Sequence, residues 1–580
     1  MSRHPLLRLP APSVLFPALP APVRRSLYVG SCGVLHLLET VGLGLDSLPG
    51  KESEDRNADP AHDSFFPALY ADMLLAALAE RPLAHDLAAR LPSLPGIKEA
   101  LGPEQIAELR ALEQATASVP QGQRHFQHLA AQRDMQRLRS FVLGRIQAEP
   151  DQLFWREHAL ILAVAEGDAD LADHALDADV LQTLPSVHAC LSWQAAFLAG
   201  RLEQAAKLAL DMEPLFGPGV AQTRLAEALL AQNRREAGIQ ALLQAVAASP
   251  WRSNELLRVH ELLEGFDTQV RPMRGEGRIF LYTWNKAGDL DQALHALARS
   301  NLGLARIVAL NNGSTDDTAR VLAKWQGELG RDRMGIVELP VNIGAPAARN
   351  WLLHAEAGDA DWVVYLDDDA LVPQDWLGRF GSAVERLPEA GVWGCRVVDH
   401  AQPLLAQAVD YQLFPARDAA AGPDLTSMQP HPFKLSRLHI QGLDRGQFHY
   451  ARTCASVTGC CHLFQRDRLE QAGDFSLFLS PSQYDDMERD IRMLASGRTA
   501  AYQGHLRVEH VKRTGRDSLL PGPENANALG NRYKMQVLHD NAEIRESARV
   551  LNQALETDLF SRLERIQTAM EEACSTEHGN

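Results

Sequence analysis

An α/β domain on a mostly parallel sheet, preceded by an all-α region and followed by a helical extension, is the fold this sequence predicts. Three observations predict it. Residues 64–265 are rich in Ala and Leu at helical spacing and offer few strand signals. From RIFLYT (278–283) onward, short apolar strands alternate with amphipathic helices, the pattern of a parallel sheet covered by helices. The 580 residues also exceed what one hydrophobic core supports, so two or more domains are required.

The opening segment, 1–63, is Pro-rich, with prolines at 5, 10, 12, 17, 20 and 22. These break the apolar patches of residues 1–25, so neither a signal peptide nor a span of about 20 apolar residues is expected there. The expectation is a cytoplasmic protein with no transmembrane segment. Lys and Arg number 57 against 74 Asp and Glu, a net charge of −17, which disfavours general binding to nucleic acid or anionic lipid. The seven cysteines include no CxxC pair, so they read as reduced thiols, and their spacing does not suit a zinc site.

The helical domain, 64–268, contains an internal repeat over about 159–250. ALILAVAEGDADLADHAL (159–176), SWQAAFLAGRLEQAAKLA (192–209) and LAEALLAQNRREAGIQAL (225–242) align, with Gly167, Gly200 and Asn233 at a 33-residue spacing. Ala172, Ala205 and Gly238 repeat at the same interval, as small residues do where helices cross closely. The pattern resembles the tetratricopeptide repeat, whose stacked helix pairs form a binding solenoid; a generic helical bundle is the bland alternative.

The α/β domain is expected over 272–515. Its strands are read at 279–283, 306–314, 334–340 and 361–369, with helices at 290–300, 316–329 and 345–358 between them. Ligands of such sheets gather at the carboxyl ends of strands. VVYLDDDALVPQDW (363–376) puts three aspartates at such an end. Adjacent carboxylates repel and resist leaving water unless something positive compensates them. Alone, the triplet is either a solvated acidic turn or a place for a cation.

Its context decides. YTWNKAGDLDQAL, NNGSTDDT, NIGAPAARN (342–350), LDDD, YDDMERDIRML (484–494) and HLRVEHVKR (505–513) stand in an order that resembles the inverting family-two glycosyltransferases of GT-A fold, over about 278–515. The resemblance implies a Rossmann-like, mostly parallel sheet and transfer of a sugar from a UDP-, GDP- or dTDP-sugar donor to an acceptor hydroxyl. It also implies Mn2+ or Mg2+. Asp369 is then the principal metal ligand, Asp367 or Asp368 holds ribose or a metal-bound water, and His510 approaches the metal or the diphosphate. Asp486 is implied as the general base with Asp485 its partner, although Asp485 stands where Glu is usual and Glu488 where Asp is usual. As bare residues, these acids equally suit a helix N-terminus.

For the nucleotide the resemblance implies Thr283, Trp284, Asn285 and Asn311, with Asn311 standing where an Asp is usual and Trp284 able to stack on a base. Asn342, Arg349 and Asn350 line the site in that reading, or support the core. Lys512, Arg513 and Arg516 are cations close to the expected diphosphate. The segment 398–453 breaks the strand–helix pattern and corresponds to where acceptor-recognition insertions occur. The extension 516–580 reads as helices at 524–541 and 545–573. The repeats make a protein acceptor attractive, as in bacterial surface or flagellar protein glycosylation; a surface glycan or lipid-linked acceptor is the other class. The competing function is a non-catalytic scaffold that binds partners through its repeats. A nucleotidyltransferase would open on a Gly-rich basic loop, which YTWNKAGD lacks.

Overall fold

The structure is a computed structural model that describes residues 9–30, 33–47, 65–94, 96–132, 134–415, 433–436, 442–512 and 523–577. It divides into two compact units, one of residues 1–264, 445–447 and 559–580, the other of 265–444 and 448–558.

The described part of the first unit is helical. Within the opening Pro-rich segment two prolines stand at helix starts, while Pro17 lies inside the first helix: Pro12 is the first residue of Pro12–Ala18, and Pro20 precedes Ala21–Tyr28. A proline costs nothing there, because the first helical N–H groups have no intrahelical partner. The repeated stretches form three helix pairs: Leu153–Glu166 with Ala169–Leu176, Pro185–Leu198 with Leu202–Leu210, and Glu213–Ala231 with Arg235–Ala248. Gly167, Gly200 and Asn233 occupy the turn of each pair, with φ of 70°, 69° and 60°. The repeat is therefore a repeat of left-handed turns, which Gly and Asn tolerate best. Ala172 and Ala205 are fully buried, and a Cβ on Gly238 would lie 2.6 Å from the Leu230 side chain. Small residues here permit close helix approach. Arg562 of the final helix forms a buried ion pair with Glu261 at 2.7 Å.

The second unit is built on strands β1 (Gly277–Thr283), β2 (Arg306–Asn312), β3 (Met334–Leu339), β4 (Trp362–Leu366), β5 (Ala370–Leu371), β6 (Val392–Asp399), β7 (Leu405–Ala408), β8 (Leu413–Pro415), β9 (Phe433–Leu435), β10 (Gly442–Leu443), β11 (Ala451–Cys454), β12 (Cys461–Gln465) and β13 (Ala500–His510). The main sheet runs β10-β7-β6-β12-β4-β1-β2-β3, and β13 pairs β6, β5 and β11. β8 and β9 form a separate antiparallel pair.

Pairing is parallel where helices make the crossovers, among β4, β1, β2 and β3. It turns antiparallel at β12, which lies between β4 and β6, and at β7, β10 and β11. The sheet is thus mixed, with the parallel pairs of β4, β1, β2 and β3 where the strand–helix alternation predicts them. β13 also pairs parallel to β6.

The alternating apolar residues of β1, β2 and β4 bury Ile279, Leu281, Ile307, Ala309, Val364 and Leu366 against Leu290, Leu294, Leu322 and Trp325 of the covering helices. Helices Pro523–Val537 and Asn541–Glu577 follow the sheet. Among the described residues no helix is long and apolar enough to cross a membrane. The described cysteines, Cys190, Cys395, Cys454, Cys460 and Cys461, are free and buried.

Candidate active site

β4 is apolar along its whole length and ends at Leu366, so the three following aspartates emerge at the carboxyl edge of the sheet. Asp367 is anchored by its own N–H, which donates to the Cys460 carbonyl at 2.9 Å, and its Oδ1 accepts from the Tyr282 hydroxyl at 3.3 Å. Asp368 and Asp369 are buried. The pairing of β5 with β13 places His510 opposite Ala370. His510 Nε2 therefore reaches Asp369 Oδ1 at 3.0 Å, and its Nδ1 lies 2.9 Å from Gln407 Oε1.

The Gln407 amide is oriented by donation from its Nε2 to Asp399 and to the Lys512 carbonyl. Its oxygen thus faces the imidazole, and both ring nitrogens of His510 face acceptors. Burial pulls the His510 pKa down, but the Asp369 carboxylate more than reverses this and holds it above its usual value. Asp369 is the counterpart: burial opposes its charge, yet His510 and Lys286 hold its carboxyl well below the usual range.

Lys286 belongs to this cluster, and the sequence reading missed it. It lies directly after β1, at the start of the helix Ala287–Ala298, and its Nζ is 3.1 Å from Asp368 Oδ1 and 2.7 Å from Asp369 Oδ2. Burial pushes Asp368 up to about 6 against the pull of this ammonium. The signal was present in YTWNKAGD, a lone cation at a strand's carboxyl end, but nothing in the spacing told which carboxylates it would meet. Asp367, Cys460 and His510 each bring one ligand atom to within 4.8 Å of the others. Burial keeps the Cys460 thiol pKa well above its normal value, so carboxylate and imidazole are the competent donors of this group.

The second acidic cluster opens the helix Asp485–Ala495. Gln483 and Tyr484 enter it with φ of 80° and 69°. Two consecutive non-glycine residues in the left-handed region are costly, and such strain collects at functional sites. The two aspartates then take different environments. Asp485 is buried and receives Arg349 Nη1 at 2.5 Å. Arg349 comes from the helix Ala345–Glu356, and its guanidinium lies over the Tyr282 and Phe475 rings at 5.2 Å from each. Despite burial, Asp485 holds Arg349 firmly charged.

Asp486 is half-buried, and its Oδ2 accepts the Gly459 N–H at 2.6 Å. Residues 459 and 460 therefore join the two acidic clusters, since Gly459 holds Asp486 while Cys460 holds Asp367. Tyr282 joins them again, between Arg349 and Asp367. Asp490, one turn further on, is buried and accepts from the Ser456 hydroxyl at 2.8 Å and the Val457 N–H at 3.1 Å; burial lifts it to about 7.

Around this centre the remaining sequence-predicted residues divide. Thr283, Asn311 and Glu338 stand side by side in register across β1, β2 and β3. Asn311 Nδ2 donates to Glu338 at 2.7 Å and its Oδ1 accepts the Ser314 N–H at 3.0 Å. Trp284 is 51% exposed, so a face of its ring is open to a ligand. Asn285, at φ 53°, uses its Oδ1 to receive the Thr315 N–H at 2.7 Å.

Asn342 accepts from Asn312 Nδ2 and the Gly344 N–H, and so fixes the turn. Asn350 exchanges two hydrogen bonds with the Phe475 backbone. Both asparagines are engaged in structure. Lys512 is exposed, while Arg513 and Arg516 lie outside the described residues.

No curated protein matches the chain. Several solved structures are similar to part of it. One is GalNAc-T7 with UDP, GalNAc and Mn2+, at 12% identity and TM-score 0.33, covering 46% of this chain and 48% of that one. A second is mannosyltransferase PcManGT from Pyrobaculum calidifontis in complex with GDP-Man and Mn2+, at 17% identity and TM-score 0.32, covering 59% of this chain and 91% of that one. A third is S. aureus TarS, at 13% identity and TM-score 0.31, covering 48% and 43%. The chain thus spans about half the length of the first of these. Residues 279–471 match the family Glycosyl transferase family 2.

Proposed function

We propose that the protein is an inverting, metal-dependent glycosyltransferase that moves a sugar from a nucleoside-diphosphate donor to an acceptor hydroxyl. One observation supports this above the others: a cation-demanding cluster, Asp367 to Asp369 with His510, and an accessible carboxylate, Asp486, are joined through the adjacent residues Gly459 and Cys460. A transfer of this kind needs those two things close together. One neutralises the leaving diphosphate and the other takes the acceptor's proton.

Within the acidic pair, Asp486 is the proposed base. Asp485 is committed to Arg349 and buried, so it positions the helix start and its neighbour. Asp486 spends one oxygen on Gly459 and is half-exposed, which leaves it able to meet a hydroxyl.

The donor set fits a hard or borderline divalent ion, with carboxylates of Asp367 and Asp369 and the imidazole of His510 as the proposed ligands and Asp368 beside them. Such an ion, Mn2+ or Mg2+, supplies charge neutralisation at a departing diphosphate. The nucleotide is proposed to lie along Thr283, Trp284, Asn285 and Asn311, with Trp284 stacking on the base. Asn311 already spends its amide on Glu338 and Ser314, so the carboxylate of Glu338 is the nearby acceptor for a base N–H. The acceptor is proposed to be a protein or surface glycan, with the helical repeats as the protein-docking module.

The test is calorimetric titration of UDP, GDP and dTDP with and without Mn2+ on wild type, Asp369→Ala and Asp486→Asn. The expected result is tight binding of one nucleotide that needs both Mn2+ and Asp369. Asp486→Asn should bind that nucleotide normally and lose transfer by roughly 10²–10⁴-fold. Retained transfer in Asp486→Asn would remove it from the base role.

A further inference from the structure

Three consecutive carboxylates with two of them buried need positive charge close by, and the protein supplies part of it itself. Lys286 Nζ sits between Asp368 Oδ1 at 3.1 Å and Asp369 Oδ2 at 2.7 Å. Asp369 is one of the proposed metal ligands, so a divalent ion at the cluster would compete for its carboxylate. An ammonium and a divalent ion at the same carboxylate repel each other and compete for its lone pairs.

The two sides of the contact differ in freedom. Asp369 is 1% exposed, held by His510 on its other oxygen, and its backbone carbonyl accepts the Val511 N–H at 2.9 Å. The Lys286 side chain is 34% exposed and has a flexible four-carbon stem. When the two cations compete, the lysine is the group that can leave.

We propose that Lys286 is a displaceable resident cation. It holds Asp369 Oδ2, an oxygen of a proposed metal ligand, until a divalent ion ejects it, and so weakens the site's grip on that ion. The released ammonium, tethered beside the cluster, is available to the diphosphate of an incoming donor. This rests on the metal site proposed above.

The test uses the full chain and Mn2+ alone, followed by calorimetry and by the electron paramagnetic resonance of free Mn2+. Lys286→Met should bind Mn2+ at least tenfold more tightly than wild type with unchanged stoichiometry, and Asp369→Asn should bind it poorly. Equal affinity in wild type and Lys286→Met, lost in Asp369→Asn, overturns the displacement and leaves the metal site standing. Absence of Mn2+ binding in all three overturns both. Should Lys286→Met fail to fold, acetylation footprinting of wild type by mass spectrometry decides the matter. Mn2+ should raise the acetylation of Lys286 several-fold, and unchanged or reduced acetylation overturns the proposal.

Discussion

Gly459 donates its backbone N–H to Asp486 at 2.6 Å, and a Cβ built on that glycine would lie 2.6 Å from the same Asp486 oxygen and 2.8 Å from Arg349 Nη2. The glycine is therefore part of how the proposed base is aimed. Its lack of a side chain is a requirement of the site rather than of the turn, since its φ is not among the positive ones. Gly459→Ala should push the Asp486 carboxylate aside and lower transfer on the order of 10²-fold, as small misplacements of reacting groups do. Nucleotide affinity should be unchanged. A parallel loss of nucleotide binding would instead mean that the substitution disturbs the whole edge of the sheet.

The Arg349–Asp485 pair is almost wholly buried, at 4% and 1% exposure. Removing one partner leaves an uncompensated interior charge, which costs about 3–5 kcal/mol. Arg349→Met should therefore lower the denaturation midpoint strongly, and adding Asp485→Asn should recover part of the loss. If the double variant is no more stable than Arg349→Met, the pair is not electrostatically coupled in the way the geometry implies.

Asp490 predicts a pH dependence. Burial raises its folded-state pKa from 3.8 to about 7, so the folded protein holds this proton more tightly than the unfolded chain does. Stability from this group is fully present below pH about 4 and declines as pH rises from there to about 7, because the unfolded chain then gives up the proton first. Asp490→Asn removes the charge that must otherwise be buried. The variant should gain on the order of 3 °C in Tm relative to wild type at pH 8, and distinctly less at pH 5. A difference that is the same at both pH values would show that the carboxyl does not titrate in this window.

In the helical unit, Gly200 has φ of 69° and open space around the position of a Cβ. Gly200→Ala should therefore cost only the left-handed strain, about 1 kcal/mol, with no packing loss. Ala205→Leu, at a fully buried position of the same repeat, should cost more, roughly 1–3 kcal/mol, through overpacking. Chemical denaturation of the two variants compares strain with crowding in one helix pair.

Much of the architecture was legible beforehand because local rules govern it. Strands read at 279–283, 306–314 and 334–340 correspond to β1, β2 and β3, since alternating burial and turn residues mark a strand without reference to its partners. The 33-residue spacing of Gly167, Gly200 and Asn233 marked helix-pair turns for a similar reason: a left-handed turn restricts its residue type locally. The antiparallel half of the sheet was not legible in this way. Short strands such as β7, β10 and β11 carry no period long enough to announce a partner, and their pairing depends on which edge the chain meets on returning.

The candidate site divides along the same line. The sequence by itself determined that three aspartates end a buried strand, that two more open a helix, and that a histidine closes the last strand. Only the tertiary structure decided what each of them faces. It assigned Asp485 to Arg349 and Asp486 to Gly459, turned Asn342 and Asn350 into backbone staples, and brought Lys286 against Asp368 and Asp369. The physical reason is that a strand's end is written in neighbouring residues, whereas compensation of a buried charge is a contact between segments far apart in the chain. Lys286 and Asp369 are separated by 83 positions, and no local pattern links them.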